Sequence, residues 1–519
     1  MQAIDQALLS PERFVTICAP TGFGKSLVYM AAAKMSGRRA VVCTSTKGLQ
    51  DQLQADFATM STDIRGMTNY LCKAASQFGM DPLTSVEMGA CHGGEECELK
   101  SGGCDYYDKY REAQRASIVV TNYALWMADR RRRDGMRLNS VKPVEMLILD
   151  EAHDAPGAVA GHVATEMKYE SIQRCGSDKI VWPGCKDEDK EGWQGWAIET
   201  VEALEDMVEE GMKIVVRTGD KKLARRVAQW KRTQREVVKV AEMEGEWVIE
   251  SQNDWRTRKY GPIVRFDPLW PSAYAERVLF RNVKKVVLVS ATVRPKTGKL
   301  LGIGDGQENF LEYPSSFPIA SRPVIHVPTV QMSHRATEWE TLQWIQMMDR
   351  LMDARMDKKG VIHTVSYERA ELIRLNSRHS SRMLSHDSEN RAKVVEQFKR
   401  SSGSGTVLVS PSVDTGYDFP KSECEFQIIA KVPFENNTGK LAKARIKSDK
   451  QWSSYTTAQT IVQMTGRGMR SVDDRCETLI VDDNVQWFVS QNVQHFPKWW
   501  VQSYRMCGRG TVPKPLEKL

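Results

Sequence analysis

The residues best suited to chemistry form a glycine-rich segment, Ala19–Ser26, with the sequence APTGFGKS between a predicted strand and a predicted helix. Gly22 and Gly24 allow a tight turn whose backbone N–H groups can wrap a phosphate at the amino end of a helix. Lys25 would reach the β- and γ-phosphates of ATP, and the Ser26 hydroxyl would bind Mg²⁺. A glycine-rich turn without a ligand is the alternative. The predicted nucleotide-binding residues are Thr21, Gly22, Phe23, Gly24, Lys25 and Ser26.

A pair of carboxylates follows the apolar segment VEMLIL, which predicts a strand. Asp150 and Glu151 would then lie at the carboxyl end of that strand, where ligands of open α/β sheets bind. Asp150 would hold Mg²⁺, and Glu151 would orient and deprotonate the attacking water. His153 would sense the γ-phosphate or link it to a neighbouring motif. The acidic start of a helix is the alternative, but the preceding phosphate-binding loop favours an NTPase.

Two arginines near the carboxyl end complete the predicted hydrolysis site. The segment QMTGRGMRS contains Gln463, Arg467 and Arg470, and we predict that both arginines share one helix face. Supplied from a second domain, they would stabilise charge on the transferred phosphoryl group. A solvated basic helix face is the alternative. Ser290 and Thr292, in the sequence SAT, would couple the nucleotide site to a nucleic-acid track.

Four cysteines are grouped in the first quarter of the chain, with the spacing C-x18-C-x5-C-x6-C. In a reducing cytosol such a group favours metal or cluster ligation over disulfides. Four thiolates suit a [4Fe–4S] cluster, and they also suit a tetrahedral zinc ion. The close C-x2-C pairs common in zinc knuckles are missing. The predicted ligands are Cys72, Cys91, Cys97 and Cys104.

The scaffold that must position these residues can be predicted from two series of short apolar runs separated by helical patterns. The first runs from FVTICA to KKVVLVSAT and the second from RPVIHVPT to CETLIVDD. Continuous apolar runs, in which polar and apolar residues do not alternate, indicate parallel sheets covered by helices on both faces. Two such series therefore predict two doubly wound α/β domains. The predicted division is 1–60, 117–155 and 269–311 for the first domain, 61–116 and 156–268 for two insertions in it, and 312–519 for the second domain.

Composition sets the broad class of protein. The chain has 519 residues, of which 41% are apolar and 27% charged, as in soluble globular proteins of several domains. It contains no apolar run near the roughly 20 residues that span a bilayer. Its start, MQAIDQALLSPERF, lacks the pattern of a secretory signal. We therefore expect a cytoplasmic protein without a membrane partner. The net charge of +7 suits a phosphate-backbone partner without requiring one.

In their order, these motifs resemble those of the XPD/DinG group of iron–sulfur superfamily 2 DNA helicases. The matching segments are APTGFGKS, TSTKGLQDQL, RGMTNYLC, IVVTNYAL, LDEAH, VSAT, GYDFP, KVPF and QMTGRGMR. The resemblance implies two RecA-like motor domains with ATP between them and nucleotide contacts from Gly416 and Asp418. It implies a [4Fe–4S] cluster in the 61–116 insertion and a mainly helical, arch-like insertion over 156–268. It also implies ATP-dependent 5′ to 3′ movement on single-stranded DNA and opening of tailed duplexes. The expected role is in DNA repair, and the expected oligomeric state is a monomer.

The sequence departs from the family pattern at three points, one of which is the short and weakly matched arch segment 156–268, and it leaves two rival functions open. Thr415 stands where the family has a glutamate, and the upstream glutamine that reads adenine has only Gln2 and Gln6 as candidates. One rival function is an ATP-driven translocase that remodels complexes without separating strands. The other is a non-catalytic nucleic-acid-binding scaffold, which would not need the retained Lys25 and Glu151.

The sequence also offers candidate contacts for a nucleic-acid strand. TSTKGLQDQL supplies hydroxyls and a lysine after a strand, at Thr44, Ser45, Thr46, Lys47 and Gln50, although serine and threonine at this position also cap helices. Aromatic side chains could stack on bases or pack in the core. The candidate aromatic residues are Tyr70, Tyr106, Tyr107 and Trp126.

Overall fold

The computed structural model describes residues 2–89, 91, 96–130, 137–333, 335–401, 405–413 and 417–517, without the side chains of 78 and 221. Its strands are β1 Phe14–Cys18, β2 Ala40–Thr44, β3 Thr62–Asp63, β4 Ile118–Asn122, β5 Met146–Asp150, β6 Thr165–Lys168, β7 Trp247–Ser251, β8 Ile263–Pro268, β9 Lys285–Ser290, β10 Glu308–Glu312, β11 Val324–Val330, β12 Gly360–His363, β13 Met383–Ser385, β14 Val407–Ser410, β15 Phe426–Ile429, β16 Glu477–Asp482 and β17 Tyr504–Met506.

The α-helices alternate with these strands. They are α1 Gln2–Leu9, α2 Lys25–Met35, α3 Lys47–Phe57, α4 Asp105–Arg115, α5 Tyr123–Arg130, α6 Ala155–Val163, α7 Tyr169–Gln173, α8 Lys190–Thr218, α9 Lys221–Ala241, α10 Trp255–Tyr260, α11 Ser272–Ala275, α12 Pro295–Leu300, α13 Glu338–Asp353, α14 Tyr367–Asn376, α15 Arg391–Arg400, α16 Lys440–Ser448, α17 Lys450–Thr465, α18 Asn484–Gln491 and α19 Lys498–Val501. Among the described residues, no helix is long and apolar enough to cross a membrane.

Two seven-stranded sheets dominate the architecture. The first has the order β10-β1-β9-β5-β2-β4-β3 and the second the order β13-β14-β12-β15-β16-β11-β17, and every pair in them is parallel. Side chains of one strand enter the cores on opposite faces: Phe14 and Cys18 join one apolar cluster, and Val15 and Ile17 the other. This confirms the predicted pair of doubly wound α/β domains, called motor domains 1 and 2 below.

The cysteine-containing segment 61–116 begins inside the first sheet. β3 pairs with Val119 and Val120 of β4 at the sheet edge, so the chain leaves the sheet only after Asp63. Short turns follow, with an isolated bridge between Leu71 and Ser85. The segment returns through α4, whose buried tyrosines join the core of motor domain 1. The apolar face of α4 therefore anchors the cysteine segment to the motor.

The segment 156–268, called the arch insertion below, contains a helix pair and a small sheet. α8 and α9 form a hairpin whose turn includes Gly219, in left-handed backbone conformation at φ 64°. Asp220 caps α9 by accepting hydrogen bonds from two backbone N–H groups. The sheet has the antiparallel order β6-β8-β7. The expectation of a mainly helical insertion is thus met by the hairpin, with a three-stranded sheet at its base that the sequence pattern did not predict.

A candidate nucleotide site between the two motor domains

The glycine-rich loop connects β1 to α2 in the conformation that its sequence predicts. Gly22 and Gly24 have φ values of 77° and 78°, in the left-handed region that glycine enters without strain. Gly24 directly precedes α2, so the free N–H groups at the start of that helix face the loop. Lys25 donates from Nζ to the carbonyl of Pro20 at 3.4 Å. The amine therefore lies over the loop, where a phosphate group would meet it.

Asp150 and Glu151 lie at the end of β5, beside this loop. Asp150 is buried, and burial together with the charge of Glu151 raises the pKa of its carboxyl. Glu151 has a left-handed backbone, with φ 47°, which turns its side chain away from the strand direction. Burial disfavours its ionisation, but hydrogen bonds from His153 and Ser290 and the positive charge of Lys25 hold the pKa of Glu151 below its usual range. The predicted base is thus ionised close to the predicted phosphate-binding lysine.

His153 joins the acidic pair to both the SAT segment and motor domain 2. Ser290 donates from Oγ to Glu151 Oε2 at 3.0 Å, and His153 Nδ1 lies 2.7 Å from the same hydroxyl. The other ring nitrogen contacts the side-chain amide of Gln463 on α17. Burial disfavours the charged imidazole, but the carboxylates of Asp154 and Glu151 outweigh it and raise the pKa of His153 to about 10. A continuous polar chain therefore links the carboxylate on β5 to the second domain.

The arginines reach the same cleft, but not from a helix. α17 ends at Thr465, and Arg467 and Arg470 lie in the turns that follow, so the predicted shared helix face is wrong. Gly466 follows the last turn of α17 and interrupts the helical pattern. Both guanidinium groups nevertheless converge on the carboxylate of Asp418, with Arg467 Nη1 at 3.3 Å from Oδ1.

Arg470 is also close enough to Glu151 for the two charges to interact. Burial lowers the pKa of Arg470, and the negative charge of Glu151 opposes that shift. On the side of the loop, a Cβ added to Gly466 would lie 3.4 Å from Thr21 Oγ1. The arginine turn and the phosphate-binding loop are therefore neighbours. Gly416, the remaining predicted nucleotide contact, lies outside the described residues.

Phe317 occupies a position in the cleft that the sequence gave no reason to expect. It lies in the segment between β10 and β11, is 5% exposed and belongs to an apolar cluster of motor domain 2. A Cβ added to Gly22 would lie only 1.9 Å from its ring. The glycine pattern signals that something approaches the loop closely, but only the folded chain shows that a phenylalanine does so.

The four predicted ligand cysteines are free thiols in the same small segment. Cys104 precedes α4 and is buried, and the other three are partly buried. Burial raises the pKa values of Cys72 and Cys91, and the charge of nearby Cys97 raises both further. Within the described ranges, no three His, Cys, Asp or Glu side chains are grouped so that they could hold one metal ion. The charge of Cys97 thus reaches two of the other predicted ligands.

Several candidates for strand contact have structural roles instead. Thr46 caps α3 by accepting from Leu49 N at 3.3 Å. Gln50 is buried and donates from Nε2 to the carbonyl of Ile64 at 3.0 Å. Tyr106, Tyr107 and Trp126 are buried in the core of motor domain 1. Of the loop candidates, Lys47 and the cap residue Thr46 remain exposed to solvent.

Comparisons with known proteins identify similar sequences for both motor domains. Residues 1–171 match the family described as DEAD/DEAH box helicase, and residues 350–503 match the helicase C-terminal domain. The ATP-dependent DNA helicase YoaA of Escherichia coli is 21% identical over 229 residues, covering 34% of this chain and 36% of the relative. YoaA of Haemophilus influenzae is 23% identical over 205 residues, covering 30% and 32%. The matched regions span about a third of these relatives.

Similar solved structures extend over almost the whole chain. A structure of Xpd4 from S. tokodaii aligns with a TM-score of 0.56 at 13% identity, covering 98% of both chains. A structure described as an XPD helicase aligns with a TM-score of 0.59 at 13% identity, again covering 98% of both chains. At this level of identity the likeness concerns the fold, and it includes both parallel sheets.

Proposed function

We propose that this chain is a superfamily 2 helicase of the XPD/DinG type, which hydrolyses ATP to move along single-stranded DNA and to separate duplexes. The observation that carries the proposal is the polar chain from Glu151 through Ser290 and His153 to Gln463. It joins a carboxylate suited to activating water to a helix of the other motor domain. A scaffold without catalysis would have no need of such a connection.

In the proposed reaction, the amide groups of the loop and Lys25 bind the phosphates of ATP. Mg²⁺, held by Ser26 and Asp150, would neutralise charge on the phosphate oxygens. Glu151 orients the attacking water and accepts its proton, since its lowered pKa keeps it ionised. Asp150 is buried near Lys25, whose positive charge favours the ionised form of its carboxyl.

The arginines supply the second half of the proposed site. Arg467 and Arg470 are paired with Asp418 in the present arrangement. Charge developing on the γ-phosphoryl group would compete with that carboxylate for their guanidinium groups. Exchange of partners by the arginines would alter how motor domain 2 sits on motor domain 1. Such a two-state contact can convert hydrolysis into movement along a strand.

ATPase assays with and without single-stranded DNA test the hydrolysis step. Lys25→Ala and Glu151→Gln should each lower the turnover number by at least about 100-fold, because one removes phosphate binding and the other the base. Lys284→Ala is the matched control, since this lysine is 75% exposed and pairs with Glu145 at the surface. Unchanged turnover in Glu151→Gln would contradict the assignment of the base.

A translocase without strand separation is the second candidate, because it would use the same cleft and the same polar chain. Duplexes with a 5′ or a 3′ single-stranded tail discriminate the two functions. Opening of the 5′-tailed duplex alone is expected for the proposed 5′ to 3′ helicase. ATP hydrolysis stimulated by single strands, with neither duplex opened, would instead support the translocase.

We further propose that Cys72, Cys91, Cys97 and Cys104 hold a [4Fe–4S] cluster. A cluster of several iron atoms needs thiolates spread around it, whereas a zinc ion needs them tightly converged. All four cysteines belong to one short segment, and the charge of Cys97 raises the pKa values of Cys72 and Cys91; this proximity and the resemblance to iron–sulfur helicases support the proposal. Its contribution would be structural, since it would fix the insertion that α4 anchors to motor domain 1.

Anaerobic purification followed by a visible spectrum and metal analysis tests the cluster. About four irons per chain and broad absorption near about 400 nm are expected, and Cys104→Ser should reduce both. Cys185→Ser is the control, because Cys185 is a partly buried cysteine of the arch insertion, outside the group. One zinc per chain with no colour would contradict the cluster and leave the proposed motor unaffected.

A further inference from the structure

The connection between β7 and β8 of the arch insertion exposes two aromatic rings among basic residues. This connection is α10, with the sequence WRTRKY. The side chain of Trp255 is 66% exposed and that of Tyr260 is 38% exposed. Their ring centroids are 6.4 Å apart, with 61° between the planes. Trp255, Arg258, Lys259 and Tyr260 are called the arch aromatic patch below.

The patch is held firmly, so its exposure does not come from an unfolded loop. Asp254 caps α10 by accepting from Arg256 N at 2.8 Å and Thr257 N at 3.4 Å. At the other end, Gly261 has φ 82°, and a Cβ there would lie 2.8 Å from the ring of Tyr169. Gly261 thus lets α10 end directly on the arch core. A large aromatic pair kept in solvent on a rigid support is typical of a binding site.

The charges on α10 indicate which class of ligand fits. Arg256 is already paired, with Asp254 at 2.9 Å and Glu166 at 3.5 Å. Arg258 and Lys259 are exposed and have no ion pair in the described part of the chain. Lys259 Nζ lies 5.0 Å from the centroid of the Tyr260 ring. Flat rings beside unpaired cations match a ligand that alternates flat bases with phosphates, which is single-stranded nucleic acid.

A helix of motor domain 2 lies close to the strand that leads into the patch. Ser251, the last residue of β7, donates from both its N–H and its hydroxyl to Asp187. Lys440, the first residue of α16, donates to the same carboxylate at 2.6 Å. α16 also exposes Lys443 and Lys447 to solvent. The strand that leads into the patch is therefore tied to a basic helix of the second motor domain.

We propose that the arch aromatic patch binds single-stranded nucleic acid, stacking bases on Trp255 and Tyr260 and holding phosphates with Arg258 and Lys259. This gives the chain a nucleic-acid contact outside the ATP cleft, and it rests on the proposed movement along a strand. Tryptophan, tyrosine and arginine also occur in protein interfaces, so the assignment to nucleic acid rests on the cations beside the rings, which match phosphates. Here two unpaired cations flank the rings.

Equilibrium binding of a fluorescent oligothymidine to the full chain, without nucleotide, tests the proposal. Trp255→Ala combined with Tyr260→Ala removes both rings and should weaken binding at least as much as the loss of one stacked base, which is about 5- to 150-fold. Trp339→Ala is the matched control: Trp339 is 68% exposed but lies between Glu338 and Glu340. The control should bind as the wild type does.

A second variant distinguishes a loss of binding from a folding defect of the first variant. Arg258→Glu combined with Lys259→Glu leaves both rings in place and should weaken binding and flatten its dependence on salt, because fewer counterions are released. Equal affinity of the wild type and both double variants would overturn the inference and leave the proposed motor intact, provided single strands still stimulate the ATPase. A wild-type chain that neither binds the strand nor responds to it in ATP hydrolysis would overturn the proposed function as well.

Discussion

Replacing either glycine of the phosphate-binding loop by alanine tests how closely motor domain 2 approaches that loop. The two positions have almost the same backbone, with φ 77° at Gly22 and 78° at Gly24. They differ in their surroundings. A Cβ at Gly22 would lie 1.9 Å from the ring of Phe317, whereas a Cβ at Gly24 would meet nothing within 4 Å. Gly24→Ala is therefore the matched control for Gly22→Ala.

The expected magnitudes follow from two separate effects. A left-handed backbone disfavours alanine by about 1–2 kcal/mol, and this applies to both variants. Gly22→Ala additionally forces Phe317 to move. That ring packs with Phe398 and Phe419 in an apolar cluster and has no solvent-facing alternative without loss of burial. Overpacking of this kind costs roughly 1–3 kcal/mol, so Gly22→Ala should be the less stable variant by about that amount.

Urea unfolding without nucleotide, followed through the first transition, measures the difference. Phe317→Ala removes the ring, so the two glycine variants should become equally stable in that background, as in a double-mutant cycle. The comparison does not depend on ATP binding, which we expect both variants to weaken through the loop itself. Equal stabilities of Gly22→Ala and Gly24→Ala in the presence of Phe317 would refute the packing of motor domain 2 on the loop.

Substitutions at three further residues test other contacts. The pKa of His153 is about 10, against an ordinary value near 6.5, so its charge stabilises the folded chain below pH 6.5 and that contribution is lost as the pH rises towards 10. The unfolding free energy of His153→Gln should therefore fall less than that of the wild type as the pH rises from 6.5 towards 10. Urea unfolding at several pH values measures this, and the same dependence on pH in both proteins would contradict it. Glu477→Gln leaves the fully buried Arg355 without its carboxylate and should destabilise by about 3–5 kcal/mol; a thermal midpoint like that of the wild type would exclude this. Thr46→Ala should lose about 0.5–2 kcal/mol of stability through the missing cap, and Thr46→Ser should restore most of it. Failure of the serine variant to do so would count against the cap.

The parts of the site that sequence alone predicted are those determined by neighbouring residues. The loop with Lys25 follows from a strand, glycines and a helix in succession, and Glu151 follows from an apolar strand that ends in carboxylates. For both motifs, the adjoining secondary structure can be predicted from the residues next to the motif. The two parallel sheets were predictable for the same reason, because unalternated apolar runs bounded by helices admit few other arrangements.

The remainder depends on contacts between residues far apart in the chain. Arg467 and Arg470 are three apart, which suggested one helix face, but the helix ends before both of them. Their convergence depends on Asp418, from a different loop. Likewise, nothing near Trp126 shows whether it meets a base or the core. Its indole donates to the carbonyl of Leu279, 153 residues away, and only the assembled fold determines that partner.

The hairpin of the arch insertion has a further consequence, which follows from its length. α8 has 29 residues and so extends about 44 Å at 1.5 Å per residue. Asp187, which Lys440 of motor domain 2 binds, lies three residues before its start. The helix therefore begins close to the contact between the two domains. A tilt of the helix by about 5° at that end would move its other end, at Gly219, by about 4 Å, given that length. Small rearrangements between the motor domains would be read out as large displacements at the far end of the insertion.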